Sequence, residues 1–438
     1  MKLILLLIYT SLSFTQSALR HYISIAIKNN LELKQKSLSF QQSSLELGKV
    51  KSLFFPSIDI NARYTKSGGG REINLPLGDL LNPLYGLHGI SQIQNQSINF
   101  LRKKEHETTI SLTQHVFNLK IYQHYKLKNH QKDAIKHEKF AFKKEVILKV
   151  KKAYFNIIKL NHIKSVLVSN KSVLEENKRV TQSLFSNDKI TQDAVYQSEV
   201  SLLELKREQN KISNQSTISK KYLNHLLNRS LDSEIKLDKF LQFKFPNKSL
   251  EQLRTDALNS RHELKQLTSA IISAGIGEEI AKAEFYPNML LNAQYGFQGE
   301  TYNFDKEHDF WMVSGILQWN LFKGFYDSNS EEIAELEIQK YQTIFDNIKS
   351  SILLQVEESY YNLKTGLESI SISELSLKNS IEAFRIIQKK YNEGLISYVD
   401  YLNSLTQKRN QKITLILSKI AFQIQYAELE YATGKVLE

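Results

Sequence analysis

Histidines are the first residues to test for chemistry. His115, His124, His130 and His137 lie close together in the chain, but no two are four apart, the spacing that turns two imidazoles on one helical face toward a metal ion. They are expected to decorate a surface facing solvent or a lumen. The stretch "GGGRE", Gly68–Glu72, has the glycines of a phosphate cradle but no following helix that opens on Lys and Ser or Thr, so it reads as a loop. No order of Ser, His and Asp along the chain argues for a nucleophilic triad. The absence of cysteine removes disulfides, thiolate ligands, a cysteine nucleophile and a lipid-anchor cysteine. The expectation is a protein without catalysis, metal or cofactor.

The elements that would position any working residue are long. Only 16 Gly and 5 Pro interrupt 438 residues, and stretches rich in Gln, Asn, Ser, Lys, Leu and Ile run without a breaker, which favours long helices. Lys and Arg outnumber Asp and Glu by 58 to 46, a net charge of +12. The lysines are dispersed rather than massed and read as solvated helix faces. The first residues carry Lys2, an apolar run from Leu3 to Tyr9, then small polar residues. That is a signal peptide, residues 1–17, because the apolar core is too short to span a bilayer. Export counts against a nucleic-acid partner.

The chain repeats itself. "FFPSIDINARY" (Phe54–Tyr64) returns 231 residues later as "FYPNMLLNAQY" (Phe285–Tyr295), and Ala26–Gln35 returns as Ala257–Gln266 at the same offset. Farther on the offset drops to about 206, where Val150–Lys159 faces Val356–Thr365. The difference falls in a longer loop of the first copy, "SGGGREINLPLGDLLNPLYGLHG". Two pseudo-symmetric halves follow, residues 18–228 and 249–438, joined by a linker at 229–248.

Each half reads as helix, strand, loop, strand, very long helix, turn and shorter helix. In the second half a coiled-coil seam is expected at Leu353, Val356, Tyr360, Leu363, Leu367, Ile370, Glu374, Leu377, Ile381, Phe384, Gln388 and Tyr391. Long helices are expected over about 121–186 and 326–391. At 1.5 Å per residue each would reach about 97 Å, matched by the shorter helices of its half, 19–51 with 191–228 and 249–283 with 397–434, laid end to end. The stretches after Pro56 and Pro287 alternate. Ile58, Ile60, Ala62 and Tyr64 take one face of a strand, Asp59, Asn61 and Arg63 the other, and Met289–Tyr295 alternates likewise. Thr108–Val116 and Trp311–Trp319 are the expected return strands. One apolar and one polar face suit a membrane barrel, although a soluble hairpin could also hide such a face on a core. Pro56 and Pro287 stand where helix must become strand, since proline lacks the donor and clashes backwards. Trp311, Trp319 and Tyr295 suit membrane-interface aromatics or an aromatic core. Four strands cannot close a barrel, and an open edge cannot sit in lipid. Closure therefore demands two or three copies.

Signal peptide, doubled unit and motifs together resemble the TolC-type outer-membrane efflux, or channel-tunnel, family. The matching pieces are "ISIAIKNNLELKQ" leading into "FFPSIDINARY", then "WNLFKG" (Trp319–Gly324), "AYFNIIK", "SYYNLKT" and "YNEGLISYVDYLNSLTQKRNQ" (Tyr391–Gln411). The resemblance covers the mature chain. It implies a mainly α fold with a small β part: a homotrimer in which long antiparallel coiled-coil helices form a hollow α-barrel and four strands per chain share a twelve-stranded β-barrel. It implies an exit duct of a tripartite efflux or type I secretion system, in the outer membrane of a Gram-negative bacterium with a periplasmic extension. Its partners would be outer-membrane lipid, a periplasmic adaptor and an inner-membrane pump.

The resemblance also places working residues at two periplasmic turns, Phe185–Val195 and Tyr391–Asn403. Adaptor docking would fall on Asn187, Asp188, Lys189, Gly394, Leu395, Ile396 and Ser397. Gly394 is expected to be the turn residue with positive φ, and Asn187 its first-half equivalent. Asp400, six after Gly394, has the spacing of the family's pore acid, and symmetry would make it a ring of carboxylates. The position of a second acidic ring is Asn403, and the family's basic lock residue is Ile396, so closure is expected to rest on other contacts, Asp193 among them. A secreted coiled coil or adhesin is the competing reading, and the amphipathic hairpins discriminate against it, because a fibre needs no lipid-facing strands.

Overall fold

The computed structural model describes residues 18–238 and 245–436; the expected signal peptide and the centre of the expected linker lie outside these. In chain order the elements are α1 (Ala18–Asn29), α2 (Leu31–Ser52), β1 (Ser57–Lys66), β2 (Glu72–Leu75), α3 (Leu77–Leu87), β3 (Gln96–Asn99), β4 (Lys104–Phe117), α4 (Leu119–Ser186) and α5 (Gln192–Leu226). They continue with α6 (Leu250–Ser260), α7 (His262–Lys282), a 3-10 turn (Ala283–Phe285), β5 (Asn288–Gly299), β6 (Asp309–Gln318), α8 (Tyr326–Asn392) and α9 (Tyr398–Thr433). Helices α4 and α8 run unbroken for 68 and 67 residues, because no proline and few glycines interrupt them.

Three expectations need correction. The helices that open each half, expected whole over about 19–51 and 249–283, are each broken, at Asn30 and at Arg261. The side chain of the break residue compensates. Asn30 Oδ1 accepts from the Leu33 amide at 3.0 Å, as a helix cap does, while Arg261 takes an extended backbone conformation, φ −68 and ψ 121. The long first-half loop is not structureless. It folds into the β2–β3 hairpin around α3, with Asn82 and Ile93 exchanging side-chain and backbone bonds of 2.8 and 2.9 Å.

The third correction concerns the seam of α8. Val356, Leu363, Ile370 and Phe384 are buried as expected, but the alternate positions lie one residue earlier. Ser359, Gly366, Ser373 and Ser380 are buried, whereas Leu367 and Ile381 are exposed. Small residues at seven-residue spacing let a neighbouring helix approach closely. Ser373 Oγ meets Ser418 Oγ at 2.9 Å, and a Cβ at Gly366 would run into Gln425 Oε1. A search for apolar residues overlooks such a seam, because half of its knobs are serine and glycine.

The described chain forms two compact units. One comprises the chain up to Ser43, Gln131–Ile271 and Lys340 onward; the other comprises Ser44–His130 and Ile272–Gln339. The first unit holds three clusters of buried side chains. One gathers Tyr22, Ala26, Val150, Tyr154 and Leu223, a second Leu253, Val356, Leu363 and Leu429, and a third Leu167, Leu205, Phe384, Tyr398 and Leu405. Each wholly buried leucine contributes roughly 2 kcal/mol. Lys151 and Glu430 form a largely buried ion pair between α4 and α9.

The second unit holds an antiparallel sheet ordered β1-β4-β5-β6. Ile58, Ile60 and Tyr64 stand opposite Leu112, Ile110 and His106. On the same face Ala293 and Tyr295 stand opposite Val313 and Trp311. The other face is polar across β1 and β4 and mainly so on β5, while β6 adds Phe310, Met312 and Ile316 to it. Arg63 pairs with Glu107 at 2.8 Å, and Asn292 donates to Thr113 at 3.1 Å. Tyr64, Ile60 and Trp311 remain more than half exposed in the single chain. Pro56 directly precedes β1, and Pro287 separates the 3-10 turn from β5. Trp319 Nε1 donates to the Phe285 carbonyl at 3.0 Å, pinning this second boundary.

Candidate functional site

The two tips are built alike from backbone hydrogen bonds. At the second tip Gly394 N donates to Tyr391 O at 3.0 Å and Leu395 N to Lys390 O at 2.9 Å. At the first, Asp188 N donates to Phe185 O and Lys189 N to Leu184 O, both at 3.0 Å. This closure needs a left-handed residue, which is Gly394 (φ 75) at one tip and Asp188 (φ 56) at the other. The expected equivalent, Asn187, does not take this role; its side-chain amide instead donates to Ser183 O at 2.7 Å. Asp can occupy the left-handed region because its short polar side chain tolerates it. The 206-residue offset pairs Gly394 with Asp188, a signal already present in the sequence.

Ser397 caps α9, its hydroxyl accepting from the Asp400 amide at 3.2 Å and donating to Asp400 Oδ2 at 2.6 Å. The Asp400 carboxylate is exposed and sits in the first turn of the helix, where the dipole favours a negative charge. Asn403 lies exposed one turn farther on. At the first tip Thr191 occupies the cap without a side-chain bond. Asp193 follows it in the first turn of α5, exposed like Asn187, Asp188 and Lys189. Leu395 is exposed and Ile396 half-buried.

Beneath the turns the tips share one core. Ala194 of α5 packs in the same cluster as Phe384, Tyr398 and Tyr401. Tyr391 stacks on Tyr401 with ring centroids 4.8 Å apart. Burial pushes the Tyr398 hydroxyl up to about 12; that hydroxyl has no hydrogen-bond partner among the described residues.

A histidine pair was missed from sequence. His137 Nδ1 and His262 Nδ1 meet at 3.2 Å with rings 5.4 Å apart. Burial, then nearby Lys265 and Lys136, lowers the proton affinity of His137; burial, then His137 and Lys265, lowers that of His262. The partners lie 125 residues apart, so no local spacing marks them.

The arrangement of hairpin sheet and long helices can now be set beside known structures. The outer-membrane channel CmeC of Campylobacter jejuni aligns over 96% of this chain and 86% of its own, with TM-score 0.82 and 16% identity. The outer membrane protein VceC of Vibrio cholerae aligns over 96% and 97%, with TM-score 0.80 and 16% identity. The MtrE channel of Neisseria gonorrhoeae, solved in an open state, aligns over 96% and 90%, with TM-score 0.78 and 16% identity. This is the outer-membrane channel-tunnel fold. Residues 253–435 match the family of outer membrane efflux proteins. No curated protein sequence matches this one significantly. The expected mainly α fold with a small sheet part therefore holds, and the resemblance to TolC-type channels with it.

Proposed function

We propose that the protein is the outer-membrane exit duct of a tripartite efflux or type I secretion system, a passive conduit across periplasm and outer membrane. The observation that carries this reading is the sheet β1-β4-β5-β6, apolar on one face and, over β1, β4 and most of β5, polar on the other, with β1 and β6 unpaired at its edges among the described residues. An amphipathic four-stranded sheet with open edges can enter lipid only by pairing β6 of one copy with β1 of the next. Three copies give the twelve-stranded barrel. Exposed apolar side chains on α8, among them Leu354, Tyr361, Ile372, Leu375 and Ile386, supply a second surface for packing copies into a helical barrel.

In this reading residues 18–228 and 249–438 are two structural repeats joined by the linker 229–248. Pro56 and Pro287 mark their passage from periplasmic helix to membrane strand. Asn187–Lys189 and Gly394–Ser397 dock the periplasmic adaptor, which joins the duct to an inner-membrane pump. Asp400 forms a carboxylate ring at the aperture, Asn403 a neutral one, and Asp193 contributes to closure. The test is fractionation followed by native electrophoresis in mild detergent. The protein should accompany outer membranes and migrate as a trimer; a soluble monomer would overturn the proposal.

A further inference from the structure

The apolar face of the sheet ends in an unusual way. Along β1 the row Ile58, Ile60, Ala62, Tyr64 continues to Lys66, and along β4 the facing row Leu112, Ile110, Thr108, His106 continues to Lys104. Lys66 and Lys104 are direct cross-strand partners, and like charges directly opposite each other are destabilising. Among the described residues no acid pairs with them. Glu105 and Glu107 project from the other face of β4, and Glu107 is taken by Arg63 at 2.8 Å. The chains stay together beyond the lysines, with Ser67 N donating to Lys103 O at 3.1 Å and Phe100 N to Arg71 O at 3.1 Å. Arg71, Arg102 and Lys103 are thereby held near the lysine pair. All five cations are exposed, and none forms an ion pair among the described residues.

Apolar and aromatic groups adjoin the charges. Below the lysine pair Tyr302 stacks on His106 with centroids 4.5 Å apart and on Tyr64 at 5.8 Å. Phe100 and Leu101, immediately before Arg102, are more than half exposed. From Ser57 the ten residues of β1 rise about 33 Å along the strand, comparable to the hydrocarbon thickness of a bilayer. The lysine pair thus falls where an apolar, lipid-facing row would leave the acyl chains at the cell surface.

We propose that Lys66, Arg71, Arg102, Lys103 and Lys104 form a docking surface for net-anionic, phosphate-bearing lipid headgroups of the outer leaflet. Tyr64, Phe100, Leu101 and Tyr302 would lie against the acyl chains at the interface. The inference rests on the outer-membrane reading above. The adjoining apolar surface is what selects a lipid over free phosphate: a headgroup anion neutralises the opposed lysines while its chains cover the aromatics.

The full chain, reconstituted into phosphatidylcholine vesicles with or without diphosphoryl lipid A, is extracted in mild detergent, and the co-purifying lipid is measured by native mass spectrometry. The anionic glycolipid should be retained over phosphatidylcholine, and retention should fall with rising salt. The variant Lys66→Gln/Lys104→Gln should retain roughly tenfold less, and Lys66→Arg/Lys104→Arg should retain wild-type levels. Equal retention of both lipids, retention indifferent to salt, or an unchanged Gln variant would each overturn the proposal. So would full displacement of the lipid by millimolar inorganic phosphate, which would show a site for the free anion. The salt dependence of the wild-type protein decides the matter even where a variant fails to fold. Wild-type protein that inserts into neither vesicle would overturn the outer-membrane reading itself.

Discussion

Arg261 and Asn30 hold equivalent positions and do the same work. Arg261 Nη1 donates to the Ala432 carbonyl at 3.1 Å, and Asn30 Nδ2 donates to the Leu226 carbonyl at 3.0 Å. Each sits at the break between two helices and satisfies a carbonyl at the end of the last helix of its half, where intrahelical donors run out. Arg261 adds a bidentate pair with Glu263 at 2.9 and 3.0 Å and a bond to Gln355 at 2.8 Å.

Because the Arg261 side chain is only 8% exposed, truncating it strands Glu263 and the helix-end carbonyls. Arg261→Ala should cost about 3 kcal/mol, Asn30→Ala about 1 kcal/mol, measured by chemical denaturation in detergent. Arg261→Lys should recover only part of the loss, since an ammonium cannot reproduce the planar fork.

The His137–His262 contact predicts a pH dependence. Unfolded histidine titrates near 6.5, and both rings have lowered proton affinity in the folded protein. Above that pH both states are neutral and protonation of the pair adds nothing to the pH dependence of stability. As pH falls below it, the unfolded chain takes up protons that the folded pair resists, so stability falls. Thermal melts from pH 7 to pH 5 should show a decline that is shallower in His137→Asn/His262→Asn; parallel curves would refute the assignment.

In the proposed aperture Asp400 would combine two separable roles, a pore carboxylate and a partner of the Ser397 cap. Asp400→Asn removes the charge but keeps an oxygen for the Ser397 hydroxyl, so cation selectivity in a planar bilayer should drop with little change in melting temperature. Ser397→Ala should do the reverse, costing about 1 kcal/mol through the lost cap while leaving selectivity intact. Unaltered selectivity in Asp400→Asn would remove the residue from the aperture.

The Tyr398 hydroxyl is buried without a partner among the described residues, a liability rather than a support. Tyr398→Phe should leave the melting temperature unchanged or raise it. A clear loss of stability would mean that the hydroxyl has a bonding partner in the assembled protein.

Much of the architecture was legible because it rests on local patterns. Alternation after Pro56 and Pro287 marked the strands, and the scarcity of breakers marked α4 and α8. The finer features were not. The helix breaks at Asn30 and Arg261 depend on carbonyls that lie 196 and 171 residues away. The serine and glycine knobs of α8 are invisible to a hydrophobic count, because close approach of backbones, not burial of large side chains, fixes that seam.

The sequence by itself determined where helices turn into strands, which strand faces are apolar, and that one chain has too few strands to close a barrel, since these follow from periodicity and from proline's missing donor. Only the tertiary structure decided that His137 meets His262 and that Lys66 faces Lys104 with no ion-pair partner among the described residues. Each depends on register or on contacts between residues distant in the chain, which no local pattern encodes.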